Sequence, residues 1–349
     1  MLTEIVEKVR PAPLLSVCIP TYNRPRQFRR IAELLCLQNR INEIELVIRD
    51  DSPNQETLKV VEEVLIPAGV RVRYFHGERI GLDAANLFLI ENASGIFLWW
   101  LSDDDEIRPG ALANVIDLLE SDNEIRYIWA NFDYEEEGNS VVDTACRYFS
   151  SSDDIIKTLG VNIGLVSTHI LHRETAIEAV DLAKQNLYGF GFAGLIPVFH
   201  IITSPGKFYL LGTPYILCHP TKPEEIILLT NRDEEIINNG FEVYGVNFYR
   251  IVTLFNGRFS NRAVRELLSK NFGSLWRGML VGWVGGWDVP KGKRIKMLSI
   301  YWNFPECWIA LPLFCLPRKV VIFLYHIYSI FFERRKYIFN ERLKQWLMK

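Results

Sequence analysis

Residues 96–109 read IFLWWLSDDDEIRP: six apolar residues, a serine, three consecutive aspartates and, four positions past the last of them, a proline. A short run this apolar is the pattern of a strand buried on both faces. The carboxylates then sit at the carboxyl end of that strand. Pro109 marks the first turn of the next helix, expected over 109–120. Three adjacent carboxylates repel one another unless a cation lies among them. Hard oxygen donors of this kind suit Mg²⁺ or Mn²⁺, which commonly bridge one or two carboxylates to substrate phosphates. The bland alternative is a solvated turn.

Working outward, strand-like and helix-like segments alternate. Strand 15–19 (LSVCI) is stopped by Pro20, helix 24–38 carries Phe28, Ile31, Leu34, Leu35 and Leu37 on a helical period, and strand 45–49 (ELVIR) ends in Asp50-Asp51. Helix 55–66, strand 70–75, a helix near 82–92 and strand 125–130 continue the pattern. This is a βαβ succession, hence an α/β fold with a Rossmann-like, mostly parallel sheet flanked by helices. Beyond residue 131 shorter apolar runs (162–172, 194–202, 208–218) fit a mixed sheet edge, and after 220 the chain reads as helical.

Open α/β sheets bind ligands outside the carboxyl ends of their strands. Three polar clusters fall there: Pro20-Thr21-Tyr22-Asn23-Arg24, Asp50-Asp51-Ser52 and Ser102-Asp103-Asp104-Asp105. Taken alone, Asp50-Asp51-Ser52 is equally a helix-capping turn. The chain has no GxGxxG and no GxxxxGK[ST], so neither a dinucleotide fold nor a P-loop is supported.

The 349 residues carry 39 Lys+Arg and 42 Asp+Glu, a net charge of −3, which argues against a general nucleic-acid binder. That figure averages two unlike parts. Residues 291–349 hold 12 basic and three acidic residues (+9), while the remainder holds 27 basic against 39 acidic (−12). Six of the nine tryptophans lie after residue 270. The six cysteines form no CxxC pair, which fits a reduced, cytoplasmic setting, and MLTEIVEKVRPAP lacks the apolar core of a secretory signal.

The segments LSVCIPTYNR, IRDDSPNQET and GLDAANLFLIENASGIFLWWLSDDDEIRPGAL together resemble the family-2 nucleotide-sugar glycosyltransferases of GT-A fold, over about residues 14–135. The S-D-D-D form resembles the abequosyltransferase-like branch, which builds bacterial surface polysaccharides such as O-antigen. The resemblance implies a GT-A domain over 14–220 and a helical, basic and aromatic region over 221–349. It implies a metal-dependent, inverting transfer of a hexosyl or deoxyhexosyl unit from a nucleoside-diphosphate sugar. Within the donor pocket formed from Pro20, Thr21, Tyr22 and Asn23, Thr21 and Tyr22 would flank the nucleobase. Asp51 would accept a hydrogen bond from the base, Arg79 and Asn86 would line the pocket, and Asp103 would meet the ribose. Asp104 would bind Mn²⁺ or Mg²⁺, with Asp105 assisting the metal or capping the following helix.

The family's usual catalytic acid falls at about 189–200, GFGFAGLIPVFH, which holds no Asp or Glu. His200 is the candidate base there, against the plainer reading of a histidine packed on an apolar helix. His169, Glu174, Asp153 and Asp154 are substitutes, and His172-Arg173 could instead meet the diphosphate. The missing acid also motivates a reading from another class, a non-catalytic nucleotide-sugar-binding or scaffold subunit of a polysaccharide assembly complex.

In the tail, Trp302, Trp308, Tyr325, Tyr328, Phe331 and Phe332 precede Arg334-Arg335-Lys336, a composition suited to a lipid interface. The apolar stretch 307–332 is broken by Pro317-Arg318-Lys319, so neither half reaches the ~20 residues of a membrane span. The expectation is a protein peripheral on the inner face of the cell membrane, with a polyprenyl-linked saccharide as acceptor. A cap on the catalytic domain, or a homo-oligomer contact, is the other use of such a segment.

Overall fold

Seven consecutive residues, Leu15–Thr21, form β2, and all seven are buried. That burial explains the largely apolar spelling LSVCIPT. The computed structural model describes residues 3–6, 12–134, 145–186, 192–219, 242–284, 291–317, 319–321 and 323–324. Its strands are β1 (Thr3–Val6), β2, β3 (Glu45–Asp50), β4 (Arg71–His76), β5 (Phe97–Trp100), β6 (Glu106–Ile107), β7 (Ile125–Tyr134), β8 (Arg147–Tyr148), β9 (His169–His172) and β10 (Lys207–Cys218). They join in one sheet of order β1-β4-β3-β2-β5-β9-β7-β10-β6, with β8 paired to β10.

The sheet is mixed. Strands β2, β3, β4 and β5 pair in parallel. Strand β9 runs antiparallel between β5 and β7, and β10 is parallel to β7. Six strands therefore point to one edge, as the alternating pattern predicts. The run 162–172 does not lie at a sheet edge. Its strand β9 is inserted in the middle, with Ile170 and Leu171 fully buried. Pro20 does not stop β2 either, since it pairs with Arg49 of β3 and lies beyond the last β2–β5 pair, Cys18↔Trp100. A missing N–H is tolerated where the ladder has ended.

Helices cover the sheet: α1 (Pro25–Cys36), α2 (Glu56–Val60), α3 (Leu82–Asn92), α4 (Ala111–Ser121), α5 (Ser152–Leu159), α6 (Arg173–Ile177), α7 (Val180–Gln185) and α8 (Leu195–Ile202). Helix α1 buries Phe28, Ile31, Ala32 and Leu35, the face its spacing predicts. Helix α2 is shorter than the expected 55–66 and passes into a π-helical turn, Val61–Leu65. Helix α4 begins at Ala111 rather than Pro109, because Gly110 turns the chain with φ 83°. Trp99 and Trp129, wholly buried on β5 and β7, anchor the core, each burial contributing roughly 2–3 kcal/mol.

At the amino edge the strands are tied by a buried carboxylate. Glu45 accepts Ser16 Oγ at 2.6 Å, Ser94 N at 2.5 Å and Ser94 Oγ at 2.7 Å. Gly95 N donates to the same Ser16 Oγ at 2.8 Å. A Cβ on Gly95 would stand 2.7 Å from Ser16 N and 2.8 Å from Phe97 O, so no side chain fits there.

The chain divides into two compact units. The first holds Met1–Arg232 and Asn247–Leu267, and the second Asp233–Val246 and Leu268–Lys349. In the first, α9 (Phe248–Leu254) packs Phe248 against Phe192, while Phe255 stacks on Phe199. Helix α10 (Asn261–Val284) follows. The second unit includes α11 (Lys291–Ile300) and α12 (Pro305–Cys315), around Tyr301, whose hydroxyl donates to Gly245 O and accepts from Asn271 Nδ2, both at 3.0 Å. There Trp302 and Trp308 pair with ring centroids 4.0 Å apart and stay half exposed. Among the described residues no helix is long and apolar enough to cross a membrane. Tyr325, Tyr328, Phe331, Phe332 and Arg334-Arg335-Lys336 lie outside the described residues.

Candidate active site

The parallel strands deliver their carboxyl ends to one edge. Chain order runs β2, β3, β4 in one direction and then returns to place β5 on the other side of β2, so the topological switch point lies between β2 and β5. Thr21 Oγ1 spans that crevice and donates to Asp103 Oδ2 at 2.7 Å. Arg24 completes the crossing: its Nη1 lies 3.1 Å from Asp103 Oδ1 and 2.6 Å from Asp104 Oδ2. The turn that presents it needs Asn23 at φ 56°, a left-handed conformation Asn tolerates, and Asn23 N donates to Ser52 Oγ at 2.7 Å.

On the β3–β4 side lies a closed set of polar contacts. Asp51 accepts Arg49 Nε at 2.8 Å on one oxygen, and Ile80 N and Gly81 N at 2.9 and 3.0 Å on the other. Asp50 accepts Ser52 N at 2.9 Å and the Tyr74 hydroxyl at 2.6 Å. Burial, then the Asp50 contact, raises Tyr74 above the ordinary phenol range. Arg49 also donates to Glu78 O at 2.8 Å and lies over the Phe88 ring. Asp51 thus holds the 78–81 loop that carries Arg79, whose guanidinium covers the Tyr22 ring at 4.2 Å. Asn86 is buried beside Gly194 and Trp100. Asn86 Oδ1 and Trp100 Nε1 have no hydrogen-bond partner among the described residues.

On the β5–β7 side the aspartate triplet divides. Asp103 and Asp104 face Arg24, while Asp105 accepts from Ser167 Oγ. Burial and the charge of Asp104 push Asp103 up to about 7 against the pull of Arg24 and Thr21. Burial, then Asp104, pushes Asp105 to about 6, with contacts from Ser167, Cys218 and His219 opposing. Burial works against the Arg24 charge, yet the two carboxylates outweigh it and raise its pKa. At the end of β7, Asp133 pairs with Arg108 at 2.8 Å, and its Oδ1 is buried with no hydrogen-bond partner among the described residues. His219 Nε2 lies 3.0 Å from Glu106 Oε1.

The base candidates are not brought to this corner. His200 pairs with Glu178 at 3.0 Å, six residues along α8 from Gly194, about 9 Å on the helix axis. His169 is a core residue: its Nδ1 meets the Tyr127 hydroxyl and its Nε2 meets Ile163 O, both at 2.9 Å, and burial lowers it to about 4. Since β9 is antiparallel and His172 pairs with Phe97, His172, Arg173 and Glu174 start from the opposite, amino edge of β5 and cannot meet a diphosphate at the carboxyl edge. Asp154 binds Arg147 at 2.7 Å, and Asp153 binds Ser260. Sequence reading passed over Trp100, Asp133 and Ser167. Only Asp133 carried a signal, as an acid closing an apolar strand.

A mixed sheet flanked by helices, with polar clusters gathered at the carboxyl ends of its parallel strands, is the architecture of the GT-A fold. Residues 16–174, somewhat under half of the chain, match glycosyl transferase family 2, and that stretch is a glycosyltransferase domain. An uncharacterized glycosyltransferase of Rickettsia felis is 31% identical over 46% of this chain and 26% of its own length. The GalNAc(5)-diNAcBac-PP-undecaprenol beta-1,3-glucosyltransferase of Campylobacter jejuni is 31% identical over 42% of this chain and 46% of its own. The chain thus spans less than half of either relative. S. aureus TarS, crystallised with UDP-GlcNAc, superposes with a TM-score of 0.57 at 15% identity, covering 84% of this chain and 81% of that one, and so shares the fold.

The donor set fits a divalent cation. Asp103 and Asp104 offer hard oxygens that converge on one positive group, and the corner carries more carboxylates than cations to balance them.

Proposed function

We propose that this chain is a metal-dependent, inverting glycosyltransferase that moves a sugar from a nucleoside-diphosphate sugar to a hydroxyl of a lipid-linked saccharide in bacterial surface-polysaccharide synthesis. The observation that carries the reading is the Thr21–Asp103–Arg24–Asp104 cluster astride the switch point. Tyr22 supplies a ring face for the nucleobase, and Asp51 fixes the loop beside it. Asn86 lines the donor pocket in this reading, and its Oδ1 is buried without a hydrogen-bond partner among the described residues. Asp103 and Asp104 would hold Mn²⁺ or Mg²⁺, which when bound supplies Lewis-acid stabilisation of the departing diphosphate. A base worth ~10²–10⁴-fold must take the acceptor proton. With His200 turned to Glu178, that role falls to the acids of the carboxyl edge.

The undecaprenol-linked acceptor in the Campylobacter relative's name supports a polyprenyl-linked acceptor here. The half-exposed Trp302–Trp308 pair and the basic tail support peripheral docking on the inner face of the cell membrane. A second reading, a nucleotide-sugar-binding scaffold subunit, draws on the acid-free segment 189–200.

Thermal stabilisation across a panel of nucleotide sugars with Mn²⁺ tests the donor: the true donor raises Tm in proportion to RT ln(1 + [L]/Kd). Nucleoside diphosphate release with a polyprenyl-linked saccharide then separates the two readings. Binding without release on any acceptor favours the scaffold, and no stabilisation by any nucleotide sugar refutes both.

A further inference from the structure

Arg24 occupies a position its local role does not explain. It is the N-cap of α1, a place where Ser, Thr, Asp or Asn is preferred, and its side chain makes no capping bond. The side chain instead turns inward, with 12% exposure, and reaches both carboxylates through the single nitrogen Nη1. Its Nε is buried with no hydrogen-bond partner among the described residues. A guanidinium at rest on carboxylates normally engages them as a fork, through two nitrogens. Here one nitrogen serves two carboxylates and another is left unpaired.

The place Nη1 fills is the place a divalent ion needs. Mg²⁺ or Mn²⁺ takes carboxylate oxygens at about 2.0–2.1 Å. A nitrogen 2.6 Å from Asp104 Oδ2 and 3.1 Å from Asp103 Oδ1 stands between those same oxygens. The two cations therefore exclude one another. We propose that Arg24 is the resident counter-ion of the Asp103–Asp104 pair, that the divalent ion binds by displacing it, and that the displaced guanidinium is taken up by the diphosphate of the donor. The proposal rests on reading Asp103–Asp104 as the metal site. It makes metal and nucleotide binding mutually dependent. The ion alone must compete with Arg24, whereas the ion with a diphosphate finds Arg24 a second anionic partner. Linkage requires the nucleotide to gain from the metal by the same factor.

The test is a titration of the full chain with Mn²⁺, followed by electron paramagnetic resonance, with and without UDP. Arg24→Gln is expected to bind Mn²⁺ alone about tenfold tighter than the parent, and the factor by which UDP tightens Mn²⁺ is expected to shrink about tenfold. An unchanged or weaker Mn²⁺ affinity, with the UDP effect intact, overturns the proposal. Arg24→Lys guards against a glutamine variant that fails to fold. Its ammonium cannot reproduce the planar guanidinium, so Mn²⁺ alone should bind about threefold tighter, and parental affinity overturns the proposal. Asp104→Asn separates this from the site assignment. If it retains Mn²⁺, the metal site itself is misread; if it loses Mn²⁺ while the Arg24 variants behave as the parent, only the role of Arg24 fails.

Discussion

The two sides of the carboxyl edge are built on opposite terms. On the β3–β4 side, both oxygens of Asp50 and both of Asp51 receive donors from within the chain, and Arg49 is buried against its partner. On the β5–β7 side, Asp103 and Asp105 are pushed toward neutrality, and Arg24 Nε and Asp133 Oδ1 have no hydrogen-bond partner among the described residues. The first arrangement is complete without a ligand and acts by holding a loop in place. The second is incomplete: it leaves one donor and one acceptor without a partner among the described residues. Preorganisation and charge imbalance are separate devices, here on strands that share β2 as a neighbour.

The largest effect should come from the incomplete side. Asp104→Ala is expected to lower nucleoside diphosphate release about 10²–10³-fold, because the proposed function makes Asp104 a metal ligand acting where charge develops. Its stability should stay within about 1 kcal/mol of the parent, since a repelling carboxylate goes with it. Undiminished release would break the contrast. Asp51→Ala should reverse that pattern, costing about 3–5 kcal/mol in urea denaturation by leaving Arg49 buried and unpaired. A loss well under 1 kcal/mol would mean that the β3–β4 side is no more finished than its neighbour.

His169→Gln should cost about 1–3 kcal/mol, the price of disturbing a buried hydrogen-bonded pair, with turnover per folded molecule unchanged. A fall in kcat without a fall in stability would instead make it a catalytic group.

The smallest effect is one of pH. An unfolded aspartate ionises near pH 4, whereas Asp103 does so near 7, so between those values the folded state holds the extra proton and stability declines as pH rises. His169 acts oppositely, its contribution growing from about pH 4 to its ordinary 6.5 and level above that. Above about pH 6.5 the aspartate effect stands alone. The rise in Tm produced by Mn²⁺ should therefore grow by a few degrees between about pH 6.5 and 7.5. A gain independent of pH would show that the carboxylates carry no such strain.

The strands and helices of residues 15–130 were legible because burial on both faces leaves continuous apolar runs, and helical covers leave a 3.6 period. The strand-end clusters were legible for the same reason, since polarity resumes where burial stops. Strand β9 was not, because four residues set between a 3₁₀ turn and helix α6 carry no period long enough to fix either type or place. The division of the Asp triplet was invisible as well. Consecutive carboxylates look alike in sequence, and Ser167, which draws Asp105 aside, comes from sixty residues further on. The pairing of His200 with Glu178 was not legible either, because a titratable residue on an apolar helix says nothing about which neighbour it meets.

Gly95 sets a limit on how this site can change. It lies at the foot of β5, where the backbone of β2 passes too close for any side chain, and Asp103 lies at the head of the same strand. The two strands behave as a pair of calliper arms, closed at the foot and measuring at the tip. A single methyl group at Gly95 would force the arms apart at the foot, against Ser16. Loops at the tip are free to change in sequence, while the foot has no room for a substitution.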